Sequence, residues 1–190
     1  MLAAAVRCFW TRGYEATSVR NLVEETGLTA ASLYNAFGDK RSLYKKALQY
    51  YVDDSVAARI GRCRDLPPRD AIVGFFEDIL ARSLGDPERK GCMLVNAALE
   101  LAPHDAEFRL AVKHVLLEIE AFFLRCIEQG QANGTITMAQ PADDLARHLL
   151  GVLMGIRVLA RVRPEPALLK GILRPALALL EPPASKSSGA

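Results

Sequence analysis

Residues 17–37 read TSVRNLVEETGLTAASLYNAF. Thr17 or Ser18 can cap a short helix here, because a hydroxyl oxygen accepts from the free N–H groups of a first turn. That helix carries Val19, Leu22 and Val23 and stops before Gly27, since glycine tolerates the left-handed backbone that ends helices. Thr29 then caps a second short helix with Leu33 and Phe37 facing inward, and Gly38-Asp39 breaks it. Two short helices joined by a glycine-containing turn have the layout of a helix-turn-helix, whose second helix enters the DNA major groove, a slot about 12 Å wide. Ala30, Ala31, Ser32, Tyr34 and Asn35 are left on the outer and N-terminal faces, where small, hydroxyl, aromatic and amide side chains suit base edges and phosphates. On spacing alone, a plain helical hairpin inside a larger bundle fits equally well.

Working outward, apolar residues recur at helical spacing almost everywhere, and no segment sustains the two-residue alternation of a half-buried strand. Leu2, Ala5, Val6, Phe9 and Trp10 form a first stripe that stops at Gly13-Tyr14, and a long helical run extends from Lys40 to about Cys63. After Pro67-Pro68 come a helix ending at Leu84, a polar loop from Gly85 to Gly91, and a short helix from Cys92 to Leu101. Phe108, Val112, Val115, Ile119, Phe122 and Cys126 make the seam of a helix packed nearly parallel to its neighbours, ended by Asn133-Gly134. Leu145, Leu149, Val152, Ile156 and Leu159 repeat that seam after Pro141. A second strip through Leu150, Leu153 and Met154 predicts that this helix is covered on two sides, and Gly151 and Gly155 leave room for a close backbone. A last helix over about 165–180 contains Pro175, which should kink it.

The expected fold is therefore all-α with about nine helices. It divides into a three-helix head over residues 1–48, a helical body over 49–181, and a Pro-, Ser- and Gly-rich tail over 182–190 that is expected to be disordered.

Of the 190 residues, 51% are hydrophobic and 24% charged, which excludes a disordered chain. The longest apolar stretch, Leu149 to Ile156, is bounded by His148 and Arg157 and is far short of the roughly 20 residues that span a bilayer. Met1 to Trp10 lacks the features of a secretory signal, so the expected location is the cytoplasm. Cys8, Cys63, Cys92 and Cys126 stand far apart without a C-x-x-C pair, and neither disulfides nor a metal site are expected. Net charge is only +2, but residues 1–50 hold seven basic residues against four acidic ones, a net +3, leaving 17 against 18 in the remainder. A basic head on a neutral body fits polyanion binding by the head.

Phe9, Gly13-Tyr14, Thr17-Ser18-Val19, Leu22, Thr26-Gly27-Leu28-Thr29, Leu33-Tyr34, Phe37, Lys40 and Leu43 together resemble the signature of the TetR (tetracycline-repressor-like) family of bacterial transcriptional regulators. The match covers about residues 2–48 without a gap. The resemblance implies an N-terminal DNA-binding head and a C-terminal body of about six helices for ligand binding and dimerisation. On this sequence it makes Ala30 to Asn35 the recognition helix, with Thr29 at its start, and Thr17, Ser18 and Arg20 the backbone-facing start of the preceding helix. Tyr34 would bind or stack near a phosphate, and Lys40 would contact phosphate together with exposed amides at a helix N-terminus. The sequence departs from the family in three places. The helical pattern starts almost at Met1, where the family usually has a basic extension, which points to reduced DNA affinity or to a start inside a longer coding region. Ala36 replaces a frequent histidine, and Ala31 the usual glycine of the recognition helix, changes that bear on sequence preference more than fold.

The implied function is a ligand-responsive regulator, most simply a repressor. It would bind a pseudo-palindromic double-stranded operator as a homodimer through the helices near 142–162 and 165–180, and a small-molecule effector would release it. Expected pocket residues are Phe75, Phe76, Met93, Asn96, Phe122, Phe123, Met154 and Arg157, which lie on helices enclosing a common core. Arg157 is a charge in an apolar helix and needs an acidic partner, solvent or an anionic ligand. Arg89-Lys90-Gly91-Cys92 places a thiol at a helix start beside two cations, features that favour thiolate. The alternative function is therefore an electrophile or oxidant sensor acting through Cys92. A more distant one is a small helical enzyme or binding protein without DNA function. No cofactor is expected, and His104, His114 and His148 lack the spaced partners that catalysis requires.

Overall fold

The computed structural model describes residues 1–183; most of the tail expected to be disordered, from residue 184 onward, lies outside the described residues. Those described form nine helices and no strand, as the hydrophobic spacing predicts. The head comprises α1 (Leu2–Arg12), α2 (Val19–Thr26) and α3 (Ala30–Phe37). Next, α4 begins as Lys40–Val52, passes through a π-helical turn at Asp53–Ala57 and resumes as Ala58–Cys63. The body continues with α5 (Pro68–Leu84), α6 (Met93–Glu100), α7 (Ala106–Ala132), α8 (Ala142–Val162) and α9 (Pro166–Ala178).

Local chemistry sets the starts of these helices. Ser18 Oγ accepts from the Asn21 N–H while Asn21 Oδ1 accepts from the Ser18 N–H, a reciprocal capping box on α2. Thr29 Oγ1 accepts from Ser32 N–H on α3, and Asp39 Oδ1 from Ser42 N–H on α4. Asp105 caps α7 by accepting from Glu107 and Phe108. Proline occupies the first position of α5 and of α9, where its missing N–H costs nothing. Pro175 lies inside α9 as expected.

The π turn is a departure from the uniform long helix expected over 40–63. The Ala58 N–H reaches Asp53 O, five residues back, and Ser55 Oγ donates to Tyr51 O at 2.6 Å. One extra residue per turn changes which side chains face the body: Tyr51, Val52, Ser55, Val56, Arg59 and Cys63 are all buried.

In the head, Phe9 meets Tyr44 edge to face at 4.9 Å, Tyr14 meets Tyr44 at 5.1 Å, and Tyr44 meets Phe108 of α7 at 5.5 Å. This aromatic chain carries the core across from head to body. In the body, Phe75 and Phe76 of α5 pack on Phe122 and Phe123 of α7, with Phe76 and Phe123 stacked at 5.5 Å. Leu145, Leu149, Leu153 and Ile156 of α8 are buried, each contributing roughly 1.5–3 kcal/mol by leaving water. The second strip of α8 is only partly covered: Leu153 is buried, whereas Leu150 and Met154 are half-buried. A Cβ on Gly151 or Gly155 would meet nothing within 4 Å, and Val158 and Val162 on the same helix are exposed. No described helix is long and apolar enough to cross a membrane.

Candidate nucleic-acid interface and body cavity

Helices α2 and α3 meet at Gly27, whose φ of 71° closes α2 through a bond to Val23 O; a side chain would strain that left-handed backbone. Leu22 and Leu33 are buried against each other's helices and α4, and Phe37 is half-buried. The opposite face of α3 presents Ala30, Ala31, Ser32 and Asn35 to solvent, with Tyr34 43% exposed. Arg20 is exposed on α2 and pairs with Glu24 at 2.8 Å, an exchangeable contact worth little at a surface. Ser18 is exposed, although its hydroxyl is engaged with Asn21.

Thr17 corrects the expected set. It is fully buried, and its hydroxyl donates to Gly13 O at 2.5 Å, so its side chain locks the end of α1 and cannot meet a phosphate. Lys40 is half-buried: its ammonium lies 4.4 Å from the Tyr14 ring centre and donates to Glu15 O at 3.4 Å. The α4 amides expected to be open are partly occupied by Asp39, whose bonds to Ser42 hold its carboxyl below the usual range. Among the described residues, Arg7, Arg20, Arg41 and Lys45 are engaged in ion pairs, whereas Arg12, Lys40 and Lys46 have no carboxylate within 4 Å.

The head is fastened to the body by polar contacts as well as by the aromatic chain. Glu100, the last residue of α6, accepts from the backbone N–H groups of Tyr14 at 3.0 Å and Glu15 at 2.7 Å. Gly13 beside them has φ 86°, and a Cβ there would sit 3.2 Å from the Glu100 carboxylate. Arg41 grips Asp105 through Nε and Nη2 at 2.8 and 3.0 Å and also reaches Glu107, which Lys45 shares. The Arg41 bonds hold the Asp105 carboxyl down at about 2. Trp10 Nε1 donates to Gly91 O at 3.2 Å.

Behind Trp10 lies a cavity of about 620 Å³, lined from four elements: Trp10 of α1, Tyr51, Ser55 and Arg59 of α4, Ser83 at the end of α5 with the 85–91 loop, and Arg157 of α8. Of the eight expected pocket residues only Arg157 lines it. Phe75, Phe76, Phe122 and Phe123 pack on one another, with Phe122 also bordering a separate groove of about 520 Å³ beside Cys63 and Cys126, and Met93 is buried in the core. Asn96 accepts from Arg161 at 2.6 Å and donates to Lys90 O, bracing the loop. Met154 is half-buried against the core and borders, with Arg59 and Arg157, a space of only about 10 Å³. Arg59 went unrecognised, though Val52, Val56, Arg59 and Cys63 repeat the four-three-four seam that marks an inward face.

Arg59 is 2% exposed, and Nε donates to Asp78 Oδ2 at 2.5 Å. Burial, aided by the charge of Arg157, lowers its affinity for its proton, against the pull of Asp78. In the loop, burial raises the Asp86 carboxyl, but bonds from Lys90 outweigh it and leave it below the usual range. Cys92 is 6% exposed rather than open to solvent, and Tyr51 Oη donates to its sulfur at 3.5 Å. The neighbouring Lys90 is spent on Asp86 and Glu88. Burial pushes the Cys126 thiol up to about 11 and raises those of Cys8 and Cys63, as expected of packing cysteines. His104, His114 and His148 are exposed and separate, with His114 beside Glu118.

The model for the N-terminal domain of bacterial regulatory proteins of the tetR family matches residues 1–47, and that for a tetracyclin repressor-like C-terminal domain matches residues 68–175. The HTH-type transcriptional regulator YezE of Bacillus subtilis is 33% identical over 87% of this chain and 86% of its own. The HTH-type transcriptional repressor ComR of Escherichia coli is 29% identical over 84% and 77%. Among solved structures, a cysteine mutant of the TetR family regulator CifR, complexed with 26-base-pair operator DNA, is 31% identical over 93% of each chain, with a TM-score of 0.81.

Proposed function

The chain belongs to the TetR family of bacterial transcriptional regulators, and on that premise we propose that it is a homodimeric repressor released from a pseudo-palindromic operator by a small-molecule effector. Its helix-turn-helix is the DNA-binding element. We divide it into a reading head over residues 1–48 and a sensing and dimerising body over 49–181, working in the cytoplasm. The observation that carries the reading is the free face of α3: Ala30, Ala31, Ser32 and Asn35 are exposed while Leu33 on the same helix is buried. Ser32 and Asn35 supply the groups that can discriminate bases, and Tyr34 and Arg20 meet phosphates. Lys40 joins them by swinging from the Tyr14 ring.

For the dimer, support comes from Gly151, Gly155, Val158 and Val162 on α8 and Leu179 just beyond α9, an open apolar strip on neighbouring helices. Pairing across a two-fold axis would cover it as a four-helix interface. The effector acts by favouring one spacing of the two recognition helices, since both must enter major grooves at a fixed separation. The test is electrophoretic retardation of the DNA upstream of the chain's own gene. Retardation that competitor DNA does not remove supports the reading, and its absence with the folded dimer counts against it.

A second reading, covalent sensing, is favoured by the contact between Tyr51 and Cys92 beside the cavity wall. Modification of the Cys92 sulfur would displace that hydroxyl. Cys92→Ser should then abolish release of DNA by electrophiles and spare release by a reversible ligand; normal release by every electrophile tried would make Cys92 a packing residue.

A further inference from the structure

Two guanidinium groups line the 620 Å³ cavity, one with a buried nitrogen left without a partner and the other without a carboxylate among the described residues. Arg59 spends Nε on Asp78, but its Nη2 is buried with no hydrogen-bond partner among the described residues. Arg157 is 7% exposed, its one hydrogen bond reaches Ser83 Oγ at a long 3.4 Å, and no carboxylate lies within 4 Å among the described residues. Asp78 cannot neutralise the pair, because it also serves Arg62 at 3.4 Å and Arg82 at 3.2 Å. A buried charge left unpaired is strongly destabilising, so Arg157 without a carboxylate, beside an Arg59 that shares its one carboxylate with two other arginines, is a cost that packing does not explain. Of the cavity's other lining cations, Arg82 pairs with Asp78 and Lys90 with Asp86 and Glu88, whereas Arg89 has no carboxylate within 4 Å among the described residues.

From this geometry we infer that the cavity is a receptor for an aromatic carboxylate, gripped by Arg59 and Arg157 and covered by the rings of Trp10 and Tyr51. The inference rests on the effector-released repressor proposed above and names the class of effector. A guanidinium presents parallel N–H groups that match the two oxygens of a carboxylate. Arg59, whose buried Nη2 has no partner to hold it, would turn toward the ligand to supply one donor, and Arg157 supplies the second charge. Trp10 and Tyr51 stand 5.0 Å apart edge to face at the cavity wall and offer apolar surface to a ring. A groove of similar size, about 630 Å³, runs between α4 and α7 but lacks this signature: its Arg41 and Lys45 are already paired with Asp105 and Glu107, and its Lys46 is exposed to solvent rather than buried.

The site also explains how binding would reach the DNA. Trp10 belongs to the head, Arg59 to α4 beyond its π turn, and Arg157 to α8, the helix proposed to dimerise. One ligand therefore touches the reading head, the connecting helix and the dimer helix together. Drawing Arg59 and Arg157 onto a shared anion while filling the space beneath Trp10 shifts the head relative to the body.

Trp10 is the chain's single tryptophan, so its fluorescence reports occupancy. The full chain is titrated with benzoate, with benzamide as the uncharged analogue and with inorganic phosphate. Benzoate should give a saturable change in Trp10 emission below about 20 mM, and benzamide should bind at least roughly tenfold more weakly. Arg59→Met and Arg157→Met should each weaken benzoate by a similar factor while leaving the ligand-free melting midpoint unchanged or higher. A structural role would lower the midpoint instead. Should a methionine variant fail to fold, Arg157→Lys keeps the charge without the fork and should still weaken benzoate. No saturable benzoate response, equal binding of benzamide, or unchanged affinity in the arginine variants overturns the inference. Phosphate displacing benzoate with equal affinity replaces the carboxylate assignment with a general oxyanion site. Retardation of operator DNA separates the two levels: benzoate bound without release sinks the effector reading alone, while intact DNA binding with no benzoate response sinks only the carboxylate site.

Discussion

Replacing Glu100 by alanine removes both acceptors that tie the end of α1 to the body. The Glu100 carboxylate takes the Tyr14 and Glu15 amides at 3.0 and 2.7 Å, and hydrogen bonds to a charged group contribute about 1.5–3 kcal/mol each. Water can reach Glu15, which is exposed, so the lower end applies, giving about 3 kcal/mol for the two. Against this, an acidic residue at the negative end of a helix is unfavourable by about 0.3–1 kcal/mol, which the substitution relieves in α6. The net is about 2 kcal/mol of head docking, or roughly a thirtyfold rise in local opening. Native-state hydrogen exchange reads this directly: the Tyr14 and Glu15 amides should exchange about thirtyfold faster, while amides of Phe122 and Phe123 in the body hardly change. Exchange at Tyr14 and Glu15 within threefold (about 0.6 kcal/mol) of the unsubstituted protein would refute the view that Glu100 fastens the head. Equal acceleration throughout the chain would instead make it a global stability residue.

In Gly130→Ala the new Cβ would stand 2.5 Å from the buried Ile136 side chain. Overpacking of about 1–3 kcal/mol should outweigh the helix propensity gained, lowering the thermal midpoint by several degrees; an unchanged or higher midpoint would show that Ile136 yields. Asp105, held at about 2 by Arg41, has a folded-state pKa below its unfolded value near 3.9. Its contribution is complete above pH about 4 and lost as pH falls from there toward 2. Asp105→Asn should flatten the acid limb of a stability curve in that window, and an unaltered limb would contradict the pairing. Gly151→Leu with Gly155→Leu adds bulk where a Cβ now meets open space; sedimentation should give monomer, whereas an unchanged dimer places the interface elsewhere. Lys40→Ala should weaken all duplexes alike and reduce the salt dependence by about one counterion, while Asn35→Ala should alter sequence preference; the reverse pattern would exchange their roles.

The helices were legible because their signals are local. Ser18, Thr29 and Asp39 cap three of the first four, and the seam from Phe108 to Cys126 survives intact in α7. What was not legible depended on the direction in which a side chain turns. Thr17 and Ser18 are both fit to cap α2, but only Ser18 does, because Thr17 points back to Gly13 O. The π turn leaves no compositional mark, since one extra residue per turn is invisible to spacing that tolerates both three and four. For the pocket, sequence favours aromatic residues as lining, yet Phe75, Phe76, Phe122 and Phe123 pack chiefly on one another. Arg59 sits among Arg62 and Arg64 in sequence and reads as one of several solvated cations unless its seam position is weighed against its charge.

In the proposed dimer, α3 of each subunit reads one half of a symmetric operator. Selection from a random duplex library by the protein tests this with no operator sequence assumed. A pseudo-palindrome should be enriched whose half-sites lie about one helical turn, ~34 Å, or a multiple of it apart, and Asn35→Ala should change the enriched bases without changing that spacing. Failure to enrich any sequence, or an asymmetric site selected identically by the Asn35→Ala variant, would contradict half-site reading by α3.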